Sequence, residues 1–328
     1  MKTFILLLTA QFLCAQRLDE TEASWVKEHC GARFAPKKNH RDSYKSFGGR
    51  RLQKNEFPWI ASIYIGAYTC SGVLISPRHV LTAAHCVMGS LRGVYTDEKC
   101  EEKGFRNSRR FFGKAEDFRI VIGSRCTVPE KCLKKAVTPK EMFYNELYNE
   151  CTNKHDLVVF EVDDVSDIPI CIGGPTSTIA RRLYLAGHGY SSPNRNAHTD
   201  GYQVVNVTFD YQRDNYIVTC TDPNVGICSG DSGGPLFQYI EGGRSQLLGI
   251  MSYGNTCEGN WHVKSPSMKR IGIRDHFTDV TQHSAWICRI TGICPTPQRW
   301  IPKNDGSLNE EVVEYDDSYE GNDYPTIT

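Results

Sequence analysis

The chain has 328 residues, a formal net charge of zero and 40% hydrophobic residues. That length fits one large domain or two ordinary ones, and the apolar content excludes global disorder. The neutral total hides an acidic stretch from Asp305 to Thr328, which holds eight acidic residues and no Lys or Arg; the remaining excess of about +8 is scattered and forms no basic stripe suited to nucleic acid.

In chain order, residues 1–15 read as a signal peptide. Lys2 gives the positive end, Phe4 to Ala10 the apolar run, and Ala15 the cleavage point before Gln16. The run is too short to span a bilayer as a helix, and no other stretch is long and apolar enough for a membrane span. The expected location is therefore secreted and extracellular. Residues 16–45 are polar, hold one cysteine (Cys30) and turn basic at Lys37, Lys38, Arg41 and Lys45, the composition of a pro-segment or linker. Short apolar runs with turn residues between them then predict strands at Trp59–Ile65, Ser71–Ile75, His79–Thr82, Phe118–Ile122, Asp156–Val162, Gln203–Phe209, Tyr216–Thr219, Pro235–Ile240 and Gln246–Ser252. Met88 to Cys151 is charged and irregular and reads as a long loop region, broken by the Phe118–Ile122 strand. Thr278 to Ile290 predicts a helix, with Val280, His283, Ile287 and Ile290 on one face. Residues 295–328 form an acidic tail with too few apolar groups to fold. Many short strands closed by Gly, Pro and Asn place the chain in the all-β class.

Fourteen cysteines are present, and loss of Cys14 with the signal leaves an odd thirteen. A secretory route permits disulfides, and the odd count leaves at least one thiol free or paired with another molecule. No His, Cys, Asp or Glu spacing suits a metal, so no metal or other cofactor is expected.

The segment Ser229-Gly-Asp-Ser-Gly-Gly-Pro-Leu236 carries the strongest chemical signal. A serine between glycines can sit on a tight turn with its hydroxyl exposed and backbone N–H groups aimed at a developing oxyanion. The same residues fit the nucleophile elbow of α/β-hydrolases, but that fold places the acid and then the histidine after the serine. Here Leu81-Thr-Ala-Ala-His-Cys86 lies upstream, and His155-Asp-Leu-Val-Val-Phe160 lies between. A buried Asp in an apolar strand is costly unless a donor meets its charge, and an imidazole N–H is such a donor.

With Phe57-Pro-Trp59, these motifs make residues from about Ser46 to Cys288 resemble the chymotrypsin/trypsin family of serine proteases. The resemblance implies two six-stranded antiparallel β-barrels with a C-terminal helix, in a peptidase domain over 46–294. It implies a catalytic His85, Asp156 and Ser232 acting through an acyl-enzyme, and an oxyanion hole from the N–H groups of Gly230 and Ser232. Ser252-Tyr253-Gly254 matches the strand that pairs with substrate backbone, with Ser252 supporting Asp156. The family is made as zymogens, and the register from Phe57 places the new N-terminus at Ser46, after Lys45, with Asp231 as the acceptor of its ammonium. Ser46 and Phe47 replace the usual Ile and Val, which removes about 1–2 kcal/mol of apolar docking. Disulfides Cys70–Cys86, Cys228–Cys257 and Cys30–Cys171 follow from the resemblance. Cys100, Cys126, Cys132, Cys151, Cys220, Cys288 and Cys294 stay unassigned.

The resemblance places the floor of the specificity pocket at Gly226, with Ile227 and Gly254 on its walls. Glycine there argues against simple Lys/Arg preference and for apolar or broad preference. If Phe277-Thr278 lies on the strand after the pocket, Asp275 stands on the far wall and could recruit basic side chains; otherwise it is an ordinary loop carboxylate. Asn206-Val-Thr208 is a glycosylation sequon. The implied partners are a polypeptide substrate, an activating protease and protein inhibitors. The competing reading is a catalytically silent homologue that binds or regulates.

Overall fold

The computed structural model describes residues 17–32, 49–90, 100, 111–189, 201–221, 227–254 and 273–294. The signal, the Lys45–Ser46 junction, Gly226, Cys257 and the acidic tail lie outside them. The first barrel consists of β2 (Ile60–Ile65), β3 (Tyr68–Ser76), β4 (His79–Thr82), β5 (Arg119–Ile122), β6 (Glu141–Tyr144) and β7 (Val158–Glu161), all antiparallel neighbours in the order β5-β2-β3-β4-β7-β6. An Ile120–Val137 bridge joins β5 to the segment leading into β6. Strands β2 and β3 pair as far as Ile65 and Tyr68, leaving a two-residue turn in which Gly66 takes φ +54°, the backbone such hairpins require.

The second sheet contains β1 (Arg50–Arg51), β8 (Cys171–Ile172), β9 (Arg182–Gly187), β10 (Gln203–Arg213), β11 (Tyr216–Thr221), β12 (Pro235–Tyr239), β13 (Ser245–Gly254) and β14 (Ile273–Asp279). The path β10-β11-β14-β13-β12-β9 returns to β10, which closes six antiparallel strands into a barrel; β1 and β8 are short additions. Closure leaves no free edge among these six strands. The fold is therefore the all-β, two-barrel arrangement expected, with a short C-terminal helix.

Strands β6, β9 and β14 are additions to the sequence reading, and β14 corrects the helix boundary. Residues 273–279 are in strand, bonded between β11 and β13. The α-helix (α3) spans only Ser284–Thr291, after a 3-10 turn at Thr281–His283. Val280, His283 and Ile287 are buried as the helical spacing suggests, but the ladder on both sides of β14 claims the first residues. Gly292, at φ +80°, ends the helix.

Residues 17–32 form more than a polar linker. Helix α1 (Glu20–His29) begins with Asp19 and Glu22 capping each other's backbone. It docks through buried Leu18 and Val26, the Cys30–Cys171 disulfide and an Arg78–Glu22 ion pair of 2.6 Å. Within the long insert, disulfides Cys100–Cys151 and Cys126–Cys132 staple the chain, and the latter encloses part of a 3-10 helix at Pro129–Lys135.

One hydrophobic cluster spans both barrels, and a second, including Leu183, Leu236, Met251 and Phe277, lies within the second barrel. Phe57 and Trp59 stack at 4.7 Å, and Phe237 of β12 meets both edge-on. The Phe57-Pro-Trp59 entry to the first barrel thus packs against the strand that follows the Ser232 turn.

Candidate active site

His85 opens a four-residue helix (α2, His85–Met88) directly after β4, and the Cys70–Cys86 disulfide ties that helix to β3. Asp156 precedes β7, the antiparallel partner of β4, so the two strands bring the residues together. The Asp156 carboxylate is fully buried. It accepts from the His85 backbone N–H at 2.8 Å, from His85 Nδ1 at 2.7 Å and from Ser252 Oγ at 2.6 Å. Three donors offset the cost of removing the charge from water. Because a carboxylate only accepts, His85 Nδ1 carries the hydrogen, which leaves Nε2 able to take a proton. Burial alone would lower the His85 pKa; the Asp156 charge and hydrogen bond outweigh it and raise the pKa above its ordinary value. The ring remains 15% exposed, enough to meet a substrate.

Ser232 sits on a turn whose glycines are sterically required. Gly230 has φ +100° and Gly233 φ +78°. A Cβ on Gly233 would run into Thr82 Oγ1 and the Ser71 carbonyl. The turn is thereby pressed onto the residues just before His85. Among the described residues neither the Gly230 nor the Ser232 N–H donates a hydrogen bond, and none joins Ser232 Oγ to the His85 ring. Such bonds commonly tighten only when substrate is bound.

Asp231 points away from this face. Its carboxylate accepts from the N–H groups of Gly189 at 2.7 Å and Cys228 at 2.9 Å. Burial pushes its pKa up to about 6 against the pull of those two bonds. Side chains at Gly187 and Gly189 would overlap the carboxylate.

The structure places Asp275 in β14, directly opposite Gly254. It is fully buried, and among the described residues neither carboxylate oxygen accepts a hydrogen bond. Burial, then the charge of Asp231, lifts its pKa to about 8. Any Cβ at position 254 would collide with Asp275 Oδ1. Ile227 is buried, and Tyr253 stacks on His276 at 4.3 Å.

Cys30–Cys171, Cys70–Cys86 and Cys288–Cys294 are bonded, and Cys228 is disulfide-bonded to a partner outside the described residues. Cys220 is free. Asn206 is exposed on β10. Among the described residues no group of His, Cys, Asp or Glu could hold a metal ion, and no helix is long and apolar enough to cross a membrane.

The sequence reading passed over Ser71 and Thr82. Their signal is a hydroxyl inside an apolar strand, since buried hydroxyls need partners. It also passed over buried His188, whose Nε2 pairs with the half-buried Glu130 at 2.8 Å and whose carbonyl lies against Gly230.

Comparison with known proteins agrees with this geometry. The chain is 26% identical to mouse mannan-binding lectin serine protease 1 over 80% of its length, and this covers 37% of that protein, little over a third. It is 25% identical to bovine chymotrypsin-C over 75% of its length and 88% of that protein. It is 27% identical to phenoloxidase-activating factor 3 of Holotrichia diomphalia over 75% of its length and 72% of that protein. The family model described as Trypsin matches residues 46–271, more than half of the chain. A six-stranded closed barrel, a second barrel-forming sheet, a serine turn between them and this match together establish that the chain belongs to the trypsin family of serine proteases.

Proposed function

We propose that the chain is a secreted serine endopeptidase that hydrolyses peptide bonds through His85, Asp156 and Ser232. The observation that carries this reading is the buried Asp156 carboxylate, held by His85 twice and by Ser252 once. Ser232 attacks the peptide carbonyl, and His85 Nε2 takes its proton and returns it to the leaving amine. Asp156 fixes the tautomer and stabilises the imidazolium. The N–H groups of Gly230 and Ser232 receive the oxyanion, and water then releases the acyl group by the same path in reverse. Losing one such donor costs roughly 3–4 kcal/mol of transition-state stabilisation.

In this proposal the chain leaves the cell through its signal, with a glycan on Asn206. An activating protease cuts after Lys45. The Ser46 ammonium then meets Asp231, whose buried carboxylate gains from a cationic partner. The Cys30–Cys171 disulfide keeps residues 16–45 attached after the cut. Gly226, Ile227, Ser252, Tyr253, Gly254 and Asp275 receive the substrate. Gly226 leaves the floor open to apolar side chains, while the unpartnered carboxylate of Asp275 favours Lys and Arg. Protein inhibitors would occupy the same cleft.

The test is to process the purified proprotein after Lys45 and follow hydrolysis of a mixed peptide library. We expect cleavage only after processing, a second N-terminus at Ser46 that separates from the first on reduction, and no cleavage by Ser232→Ala. Equal hydrolysis by Ser232→Ala would sink the proposal.

A further inference from the structure

Ser71 of β3 is fully buried and uses every polar atom it has. Its N–H donates to the Ser232 carbonyl at 2.8 Å, and its hydroxyl donates to the Gly230 carbonyl at 2.8 Å. The hydroxyl oxygen accepts from the His188 N–H at 2.9 Å, and the Ser71 carbonyl accepts from Thr82 Oγ1 at 2.7 Å. The hydroxyl has no choice of direction, because a carbonyl can only accept and an amide N–H can only donate. One residue of the first barrel therefore grips the serine turn of the second barrel at two carbonyls, one on each side of Asp231.

We infer that Ser71 is the positioning residue of the oxyanion hole, holding the Gly230 and Ser232 N–H groups in line while touching no substrate atom itself. This rests on the peptidase reading above. The case starts from Gly230, whose φ of +100° belongs to a backbone region with little steric guidance. A glycine peptide there can rotate unless something fixes it. The Ser71 hydroxyl fixes the Gly230 carbonyl, and its N–H fixes the Ser232 carbonyl. The intervening Asp231 N–H is tied to the Cys228 carbonyl at 3.0 Å. With these groups fixed, the two amides left without internal partners are held toward the same side. The anchor is itself rigid. His188 is buried with its ring held by Glu130 at 2.8 Å, and Thr82 belongs to the strand that ends just before His85. The network thus joins the serine turn, through Ser71 and the Thr82 hydroxyl, to the strand that ends just before His85. Alignment of oxyanion donors acts on the transition state more than on bound substrate, which makes the effect separable from packing.

The test uses the full chain processed after Lys45, as wild type, Ser71→Ala and Ser71→Cys. It measures kcat and KM on one peptide amide, and inhibition by the matching peptide aldehyde and peptide alcohol. The aldehyde forms a tetrahedral adduct whose oxygen enters the hole; the alcohol cannot. For Ser71→Ala we expect kcat to fall roughly 10- to 100-fold with KM changed by less than about twofold. The aldehyde should weaken by the same factor and the alcohol should not change. Ser71→Cys, a weaker donor, should fall between. Unchanged kcat in Ser71→Ala, or equal weakening of aldehyde and alcohol, overturns the inference. If Ser71→Ala does not fold, the same aldehyde-to-alcohol ratio on Ser71→Cys decides. A processed wild type that cleaves no peptide overturns the peptidase reading and this inference together, whereas an active wild type with an indifferent Ser71 overturns this inference alone.

Discussion

At Asp275 a carboxylate is buried with no donor on either oxygen among the described residues, and burial holds its proton on to about pH 8. Bringing a cation to it restores the ionised form, which is how the pocket would favour Lys and Arg. The proposal therefore predicts that kcat/KM for an Arg substrate, relative to a Phe substrate, rises between about pH 7 and 9. Asp275→Asn should lower the Arg value about tenfold or more, leave the Phe value within about threefold and flatten the ratio. A pH-independent ratio in the wild type would count against Asp275. Of the proposed catalytic residues, His85 and Ser232 stand out in the sequence through specific motifs, and Asp156 through a carboxylate in an apolar strand between them. Asp275 was only half legible. Its place depends on the pairing of β13 with β14, and no local pattern states that register. Ser71 was not legible as a site residue, since its partners on the serine turn and at His188 lie more than a hundred residues away.

Strands that are apolar on both faces announce themselves, as β2, β3, β4 and β12 do. Of those missed, β6 and β14 are mixed in character. β6 is Glu-Met-Phe-Tyr with no fully buried side chain, and β14 carries Arg274, Asp275, His276 and Asp279 among its residues. The helix spacing at Val280, His283 and Ile287 describes a real buried face, but hydrogen bonds to β11 and β13 hold residues up to Asp279 in strand. The first barrel also carries a pH liability at β4. His79 is buried, its Nδ1 meets Ser76 Oγ at 2.7 Å, and its Nε2 has no partner among the described residues. Burial, reinforced by the Arg78 charge, lowers its pKa to about 4. The unfolded chain therefore binds a proton between about pH 6.5 and 4 that the folded chain refuses, so stability contributed by neutral His79 is complete above about 6.5 and is lost as pH falls toward 4. The loss should amount to about 3 kcal/mol. Denaturant titrations across that range should show a shallower pH slope for His79→Gln than for wild type; identical slopes would contradict the assignment.

Across the described residues, one hydrophobic cluster joins the two barrels, a second fills the second barrel, and the barrels meet at the serine turn. The Phe57, Trp59 and Phe237 cluster packs the first barrel's entry on β12, and Ser71, held by Thr82, bonds the Gly230 carbonyl of the serine turn. The two-barrel plan followed from the family resemblance, and the all-β class was legible from strand runs. The docked helix α1 was not, although the Asp19/Glu22 capping pair was present, because only Leu18 and Val26 are fully buried from its apolar residues. The insert's Cys100–Cys151 and Cys126–Cys132 bonds were not legible either, since sequence alone leaves three connectivities open even for four cysteines. The central claim is that this arrangement makes Ser232 a nucleophile. The direct measurement is labelling of the Lys45-processed protein with a fluorophosphonate probe, followed by peptide mapping. The account predicts one adduct, on Ser232, lost in Ser232→Ala and slowed at least about a hundredfold in His85→Ala. Processed, folded protein that takes up no label, or labels equally without Ser232, would contradict it and favour a silent binding homologue.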